Sequence, residues 1–140
     1  MKKITFENYK SDKYYMRVAG AVDALLARDD VVTPIDVFIA MNLLDRAAVE
    51  DWRRGRVPFL EKVIHCNLAV AGRILRILRM HVSTRSLRPS LTVYQRRGRG
   101  PATRLRFSKS GDPNVEEAYA RHFVRLVPRI EDPDRAPQRE

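Results

Sequence analysis

Apolar residues recur at helical spacing over the first half of this chain and alternate in its second half. Tyr15, Val18, Ala19, Val22, Leu25 and Leu26 fall on one face, which predicts a first helix from about Asp12 to Arg28. Asp29-Asp30 and two valines weaken that pattern. Thr33-Pro34-Ile35-Asp36 is a new start: threonine caps, proline suits the first turn, and the aspartate stands three residues beyond the cap. The second helix carries Ile35, Phe38, Ile39 and Met41 to about Leu44. Asp45 can cap a short third helix over 47–54, which Gly55 should end in the left-handed conformation.

Pro58 opens the longest predicted helix, 58–82. On a helical wheel Val63, Ile64, Cys66, Leu68, Val70, Ala71, Ile74, Leu75, Ile77 and Leu78 fill one half, which faces the core. The opposite sector holds His65, Gly72, Arg73, Arg76 and Arg79, so three arginines form an exposed stripe. Asn67 falls within the apolar arc, where it needs a buried partner. Beyond Pro89 the period changes to two. Leu91 and Val93 alternate with Thr92, Tyr94 and Arg96, and Leu105 and Phe107 alternate with Arg104 and Arg106. This predicts a hairpin with one apolar face, a face of tyrosine and arginines, and the tip Arg97-Gly98-Arg99-Gly100-Pro101. A last helix is expected over 113–127 with Asp112 as cap. Ser108-Lys109-Ser110-Gly111 before it reads as capping in preference to a phosphate cradle, because Glu116 and Glu117 in the first turn oppose an anion. Residues 128–140 have little to bury and read as a disordered tail, which leaves a single domain over 1–127.

Charge sharpens this outline. Residues 53–109 contain fifteen Lys or Arg and one carboxylate, Glu61, whereas acids outnumber bases on both flanks of a chain whose net charge is +10. Arginine exceeds lysine twenty-one to six, a bias that codon usage can produce. Codon usage does not remove carboxylates from one segment. A one-signed stretch repels itself and concentrates anions, so a polyanion is the expected partner. The candidate contacts are Arg46, Arg53, Arg54 and Arg56 around the third helix, Arg73, Arg76 and Arg79 on the fourth, and Arg96, Arg97, Arg99, Arg104 and Arg106 on the hairpin. Arginine flanked by glycine can enter a narrow minor groove, since no side-chain bulk holds the backbone away.

Two resemblances follow these residues. Arg97-Gly98-Arg99-Gly100-Pro101 is similar to an AT-hook core with one extra glycine. The stretch Ala48-Val49-Glu50-Asp51-Trp52-Arg53-Arg54-Gly55-Arg56-Val57-Pro58-Phe59-Leu60, together with the helix before it, resembles the phage-repressor-type helix-turn-helix over about residues 35–60. Ile39 and Leu43 stand where that family has a small residue and a glycine. The resemblance implies that the third helix lies in a major groove with Arg46, Glu50, Arg53 and Arg54 facing DNA, Trp52 in the core, and the hairpin as a wing.

Catalysis finds little footing. His65, His81 and His122 are far apart in sequence, Cys66 is alone, and no metal-ligand spacing occurs, so neither an enzyme nor a cofactor is expected. No apolar run reaches the roughly 20 residues of a membrane span, no cleavable leader follows Met1, and the single cysteine fits a reducing cytoplasm. The expected fold is α+β and mostly helical: a bundle with a helix-turn-helix-like unit, a basic β-hairpin and a C-terminal helix. The expected function is binding of nucleic acid, double-stranded DNA ahead of RNA. The alternative is a non-enzymatic interaction subunit that docks an acidic protein and can form a homodimer through an apolar helix face.

Overall fold

The computed structural model of the protein describes residues 3–126. Its elements follow the order α1 (Tyr15–Leu26), β1 (Val31–Val32), α2 (Pro34–Ala40), α3 (Arg46–Arg53), α4 (Leu68–Val82), β2 (Leu87–Leu91), α5 (Pro113–Ala120) and β3 (Arg121–Arg125). The class is α+β. α1 packs against α2, α4 and β1, and the three strands form an antiparallel sheet with β3 in the centre. No helix among the described residues is long and apolar enough to cross a membrane.

The first three helices are close to their sequence signals. Thr33 caps α2 by accepting the Asp36 N–H at 3.0 Å, with Pro34 in the first turn. α2 and α3 then stop in the same way. Asn42 (φ 61°) follows α2 and sends the Leu43 N–H to the Phe38 carbonyl at 2.9 Å. Gly55 (φ 80°) follows α3 and sends the Arg56 N–H to the Asp51 carbonyl at 2.9 Å. Both are Schellman closures, in which one left-handed residue lets the chain satisfy the last carbonyls of a helix. Asp45 departs from expectation. It occupies the cap position of α3 without a side-chain cap bond, and its carboxylate lies 3.3 Å from His65 Nε2.

The helix expected over 58–82 begins only at Leu68, because Asn67 is its cap: Asn67 Oδ1 accepts the Val70 N–H at 2.8 Å. Asn67 is therefore exposed and lies outside the apolar arc. Upstream, Leu60–Val63 makes a single 3-10 turn. The Leu60 and Glu61 N–H groups donate to the carbonyls of Arg106 and Phe107 at 3.2 and 2.9 Å, and the His65 N–H donates to Leu43 at 2.7 Å. Donors that a helix would keep for itself go to distant segments, and periodicity carries no trace of that exchange.

The helix expected over 113–127 is also two elements. α5 ends at Ala120, and Arg121–Arg125 becomes the central strand, pairing Phe123 with Val32 on one side and with Pro89 on the other. An aromatic and β-branched run between two open edges gains more from two ladders than from another helical turn. β2 holds Pro89 without penalty because an edge strand has one side free of pairing. The expected tail, 128–140, lies outside the described residues.

The hairpin is the largest departure. Only Gln95 and Arg104 form a β-bridge, flanked by Arg96 N–H to Thr103 O and Leu105 N–H to Tyr94 O, both 2.8 Å. On the second arm Leu105 and Phe107 are buried as expected. On the first arm the phase is inverted: Leu91 and Val93 are each 58 % exposed, whereas Tyr94 turns inward against Trp52, Phe107 and His122. The tyrosine finds both aromatic faces and a hydrogen-bond partner for its hydroxyl there, which valine could not use. Around it the core is aromatic, with Phe107 stacked on Tyr119 at 5.5 Å and Tyr119 on Phe38 at 6.0 Å.

Candidate nucleic-acid interface

Trp52 anchors one corner of the molecule. Its ring is fully buried, and its Nε1–H donates at 2.8 Å to the Arg106 carbonyl, so α3 is tied to the second arm of the hairpin. The first arm closes over the end of the same helix. The Arg97 N–H donates to the Arg53 carbonyl at 2.7 Å, and the Arg96 side chain lies across Gly55, where a Cβ would come within 2.9 Å of Arg96 Cδ. Gly55 thus serves twice, as left-handed stop and as bare floor for an arginine. At the tip Arg96 Nη1 donates to the Arg99 carbonyl at 2.6 Å. Gly98 (φ 107°) and Gly100 (φ 98°) supply the backbone angles this tight loop requires.

Arg53, Arg54, Arg56, Arg96, Arg97 and Arg99 are gathered at this corner. Arg53 sets its guanidinium over the Tyr94 ring, 4.9 Å from the centroid. Burial, and then the neighbouring Arg97 cation, push the Arg53 pKa down, but an arginine stays charged in proteins. Two acids temper the charge. Glu50 lies 3.7 Å from Arg54 Nε and 3.6 Å from Arg97 Nη1, and Asp51 lies 3.2 Å from Arg56 Nη1. These pairs are about half-exposed, and such surface pairs contribute about 0–1 kcal/mol, so an incoming phosphate can exchange with the carboxylates. Arg104, on the returning arm, and Arg46, at the far end of α3, are exposed.

The remaining candidates are elsewhere. Arg73 does not belong to an exposed stripe: it forms a largely buried ion pair with Asp12, to which its Nε donates at 3.1 Å. Burial alone would raise the Asp12 pKa, yet the Tyr14 N–H and Arg73 outweigh it and hold the carboxyl below its ordinary value. Arg76 and Arg79 are exposed on α4 and line a groove whose other wall is α5 and β3, with no residue of 91–107 in the lining. Arg106 turns back to brace its own loop, donating from Nε to Ser108 O at 2.7 Å and from Nη2 to Lys109 O. The donors of the Ser108–Gly111 loop are likewise engaged: Ser108 Oγ accepts the Gly111 N–H at 2.9 Å, Ser110 Oγ accepts the Asp112 N–H at 3.1 Å, and the Ser108 and Lys109 N–H groups go to Glu116 and Glu61.

Sequence reasoning missed the support beneath the corner. Tyr94 Oη and His122 Nε2 are 2.6 Å apart, and Thr92 Oγ1 holds the other ring nitrogen at 3.2 Å. Burial pushes the Tyr94 hydroxyl up to about 12 and the His122 imidazole down. Both stay neutral near pH 7, so the pair shares one proton between neutral groups and fixes the ring on which Arg53 rests. Glu116, read from the sequence as a first-turn charge that opposes an anion, accepts the N–H groups of Phe107 and Ser108 at 3.1 and 2.7 Å, which locks the end of the hairpin. Neither link has a signal at the level of spacing. Among the described residues no group of three or more His, Cys, Asp or Glu is placed to hold a metal ion. No protein-family model, curated protein or solved structure matches the chain.

Proposed function

We propose that the protein binds double-stranded DNA through the corner where the hairpin closes over α3. The observation that carries this reading is the hydrogen bond from the Arg97 N–H to the Arg53 carbonyl, which joins two arginine-rich segments more than forty positions apart into one cationic surface. Arg54, Arg56 and Arg97 would meet phosphates in place of Glu50 and Asp51. The glycine-flanked Arg99 would enter the minor groove, where narrow width and negative potential favour an arginine. α3, with Arg46 at its exposed start, would lie towards the adjacent major groove in the manner of a helix-turn-helix. Arg53, held on Tyr94, is a rigid member of the surface and loses little entropy on binding.

Fluorescence anisotropy with duplex DNA, single-stranded DNA and RNA across a salt series tests this. Duplex affinity should fall with salt, log K changing by about 0.9 per phosphate neutralised for each unit of log salt. Arg97→Ala/Arg99→Ala should lower that slope by about two and weaken binding of every sequence. Absence of binding at low salt, or a slope unmoved by the double variant, would overturn the proposal. Docking of an acidic protein on the same corner would then be the reading to pursue.

A further inference from the structure

On another part of the molecule, α4 and α5 flank a groove of 420 Å³ that reaches β3. Its walls are apolar, with Leu75, Val115 and Phe123 among them, and Leu68 at its α4 end is 46 % exposed although it belongs to the apolar side of that helix. Gly72 forms part of the wall facing this space. A Cβ built on it meets nothing within 4 Å, so the groove is open along the α4 backbone. A volume of this size falls in the range of small-molecule sites, about 300–1,000 Å³.

The polar part of the lining is cationic. Arg76, Arg79 and Arg121 border the groove, and none takes part in an ion pair among the described residues. Two carboxylates also reach it. Glu61 is already committed, accepting the Lys109 N–H and the Tyr119 hydroxyl at 2.8 Å each. That leaves Glu117 against three arginines. Leu68 and Arg79 stand eleven positions apart, about 16 Å along the helix axis, so an apolar stretch leads to a cationic end over the length of a medium acyl chain.

We infer that this groove binds a small amphipathic anion, an acyl or aryl body ending in a carboxylate or phosphate. The body displaces water from the leucine-lined wall, and the anionic head lies among Arg76, Arg79 and Arg121, where charge-assisted hydrogen bonds fix its direction. Charge complementarity selects the sign of the ligand, and the volume selects a single chain over a helix of another protein.

The probe is 1-anilinonaphthalene-8-sulfonate, itself an amphipathic anion, titrated into the full chain with fluorescence as the readout. Wild type should bind one equivalent with enhanced, blue-shifted emission, and decanoate should displace it while decanol does so far less. Gly72→Leu fills the groove from a helix that gains propensity by the change. It should abolish probe binding while leaving duplex-DNA affinity unaltered and thermal stability no lower than in wild type, which separates this site from the α3 corner. Arg76→Gln/Arg79→Gln, at two exposed positions, should weaken decanoate about tenfold or more through loss of charged hydrogen bonds. Equal probe binding by wild type and Gly72→Leu, equal displacement by decanoate and decanol, or binding of an acidic peptide in place of both would overturn the inference.

Discussion

The end of α3 and the outer side of α4 carry arginines at similar density, yet the fold uses them in opposite ways. At α3 the arginines stand around a fixed point: Arg53 rests on Tyr94, Arg96 lies over Gly55, and the carboxylates paired with this group, Glu50 and Asp51, are half-exposed. Along α4 the arginines divide between two surroundings. Arg73 is drawn inward by Asp12, and Arg76 and Arg79 border an apolar groove. A basic stripe in sequence is therefore not one surface. What decides is whether tertiary structure sets a carboxylate, an aromatic ring or open space opposite each guanidinium.

The sharpest way to break this contrast is to remove one cation from each region and compare stability. The Arg73 and Asp12 side chains are 13 % and 5 % exposed, and losing the guanidinium leaves the Asp12 carboxylate held by the Tyr14 N–H without its countercharge, at up to about 3–5 kcal/mol. Arg73→Ala should therefore lower the urea midpoint severely, whereas Arg54→Ala, whose pair with Glu50 faces solvent, should change stability by less than about 1 kcal/mol. Similar losses in the two variants would mean that burial does not separate the two regions as described.

Much of the helical part was legible in the sequence because its signals are local. Thr33-Pro34-Ile35-Asp36 caps α2 and Gly55 ends α3, since cap chemistry acts over three or four residues. The apolar arc of α4 predicted the buried Ala71, Ile74, Leu75, Ile77 and Leu78. What failed was decided by partners distant in sequence. Leu60 and Glu61 give their N–H groups to residues 106 and 107, Arg121–Arg125 is claimed by strands on both sides, and Tyr94 reverses the phase of its strand to reach Trp52 and His122. The candidate site divides along the same line. The glycine-flanked arginines could be named from the sequence, but the bond from Arg97 to Arg53 that joins them to α3, and the Asp12 carboxylate that removes Arg73, could not.

α4 offers a second, smaller test of its inward-turning side. His81 is 2 % exposed, and neither ring nitrogen has a partner among the described residues. Burial, then the Arg85 cation, push its pKa below the ordinary value, with Asp23 opposing. The folded state therefore binds the proton less readily than the unfolded chain. Stability is full above the ordinary histidine value of about 6.5 and is lost progressively as pH falls below it. His122, also pushed down, acts in the same direction beneath the hairpin. His81→Leu removes an unsatisfied buried group and should stabilise by about 1 kcal/mol. Urea unfolding from pH 8 to pH 5 should show a shallower decline in the variant; an unchanged slope would exclude His81 as its source.

The finest test belongs to the α3 corner and separates backbone strain from docking of the hairpin. Gly55 and Gly98 both hold positive φ, at 80° and 107°. Alanine at either position should therefore cost about 1 kcal/mol or somewhat more in backbone strain. Their surroundings differ. A Cβ at Gly55 would press on Arg96 Cδ at 2.9 Å, whereas at Gly98 it meets nothing within 4 Å. Gly55→Ala must displace the side chain that lies across the end of α3, and the neighbouring bond from Arg97 to Arg53 should loosen with it. Faster hydrogen exchange of the Arg97 amide and weaker duplex binding are expected in Gly55→Ala, and neither in Gly98→Ala at matched loss of stability. Equal behaviour of the two variants would mean that the arginines of the tip act without being held against α3.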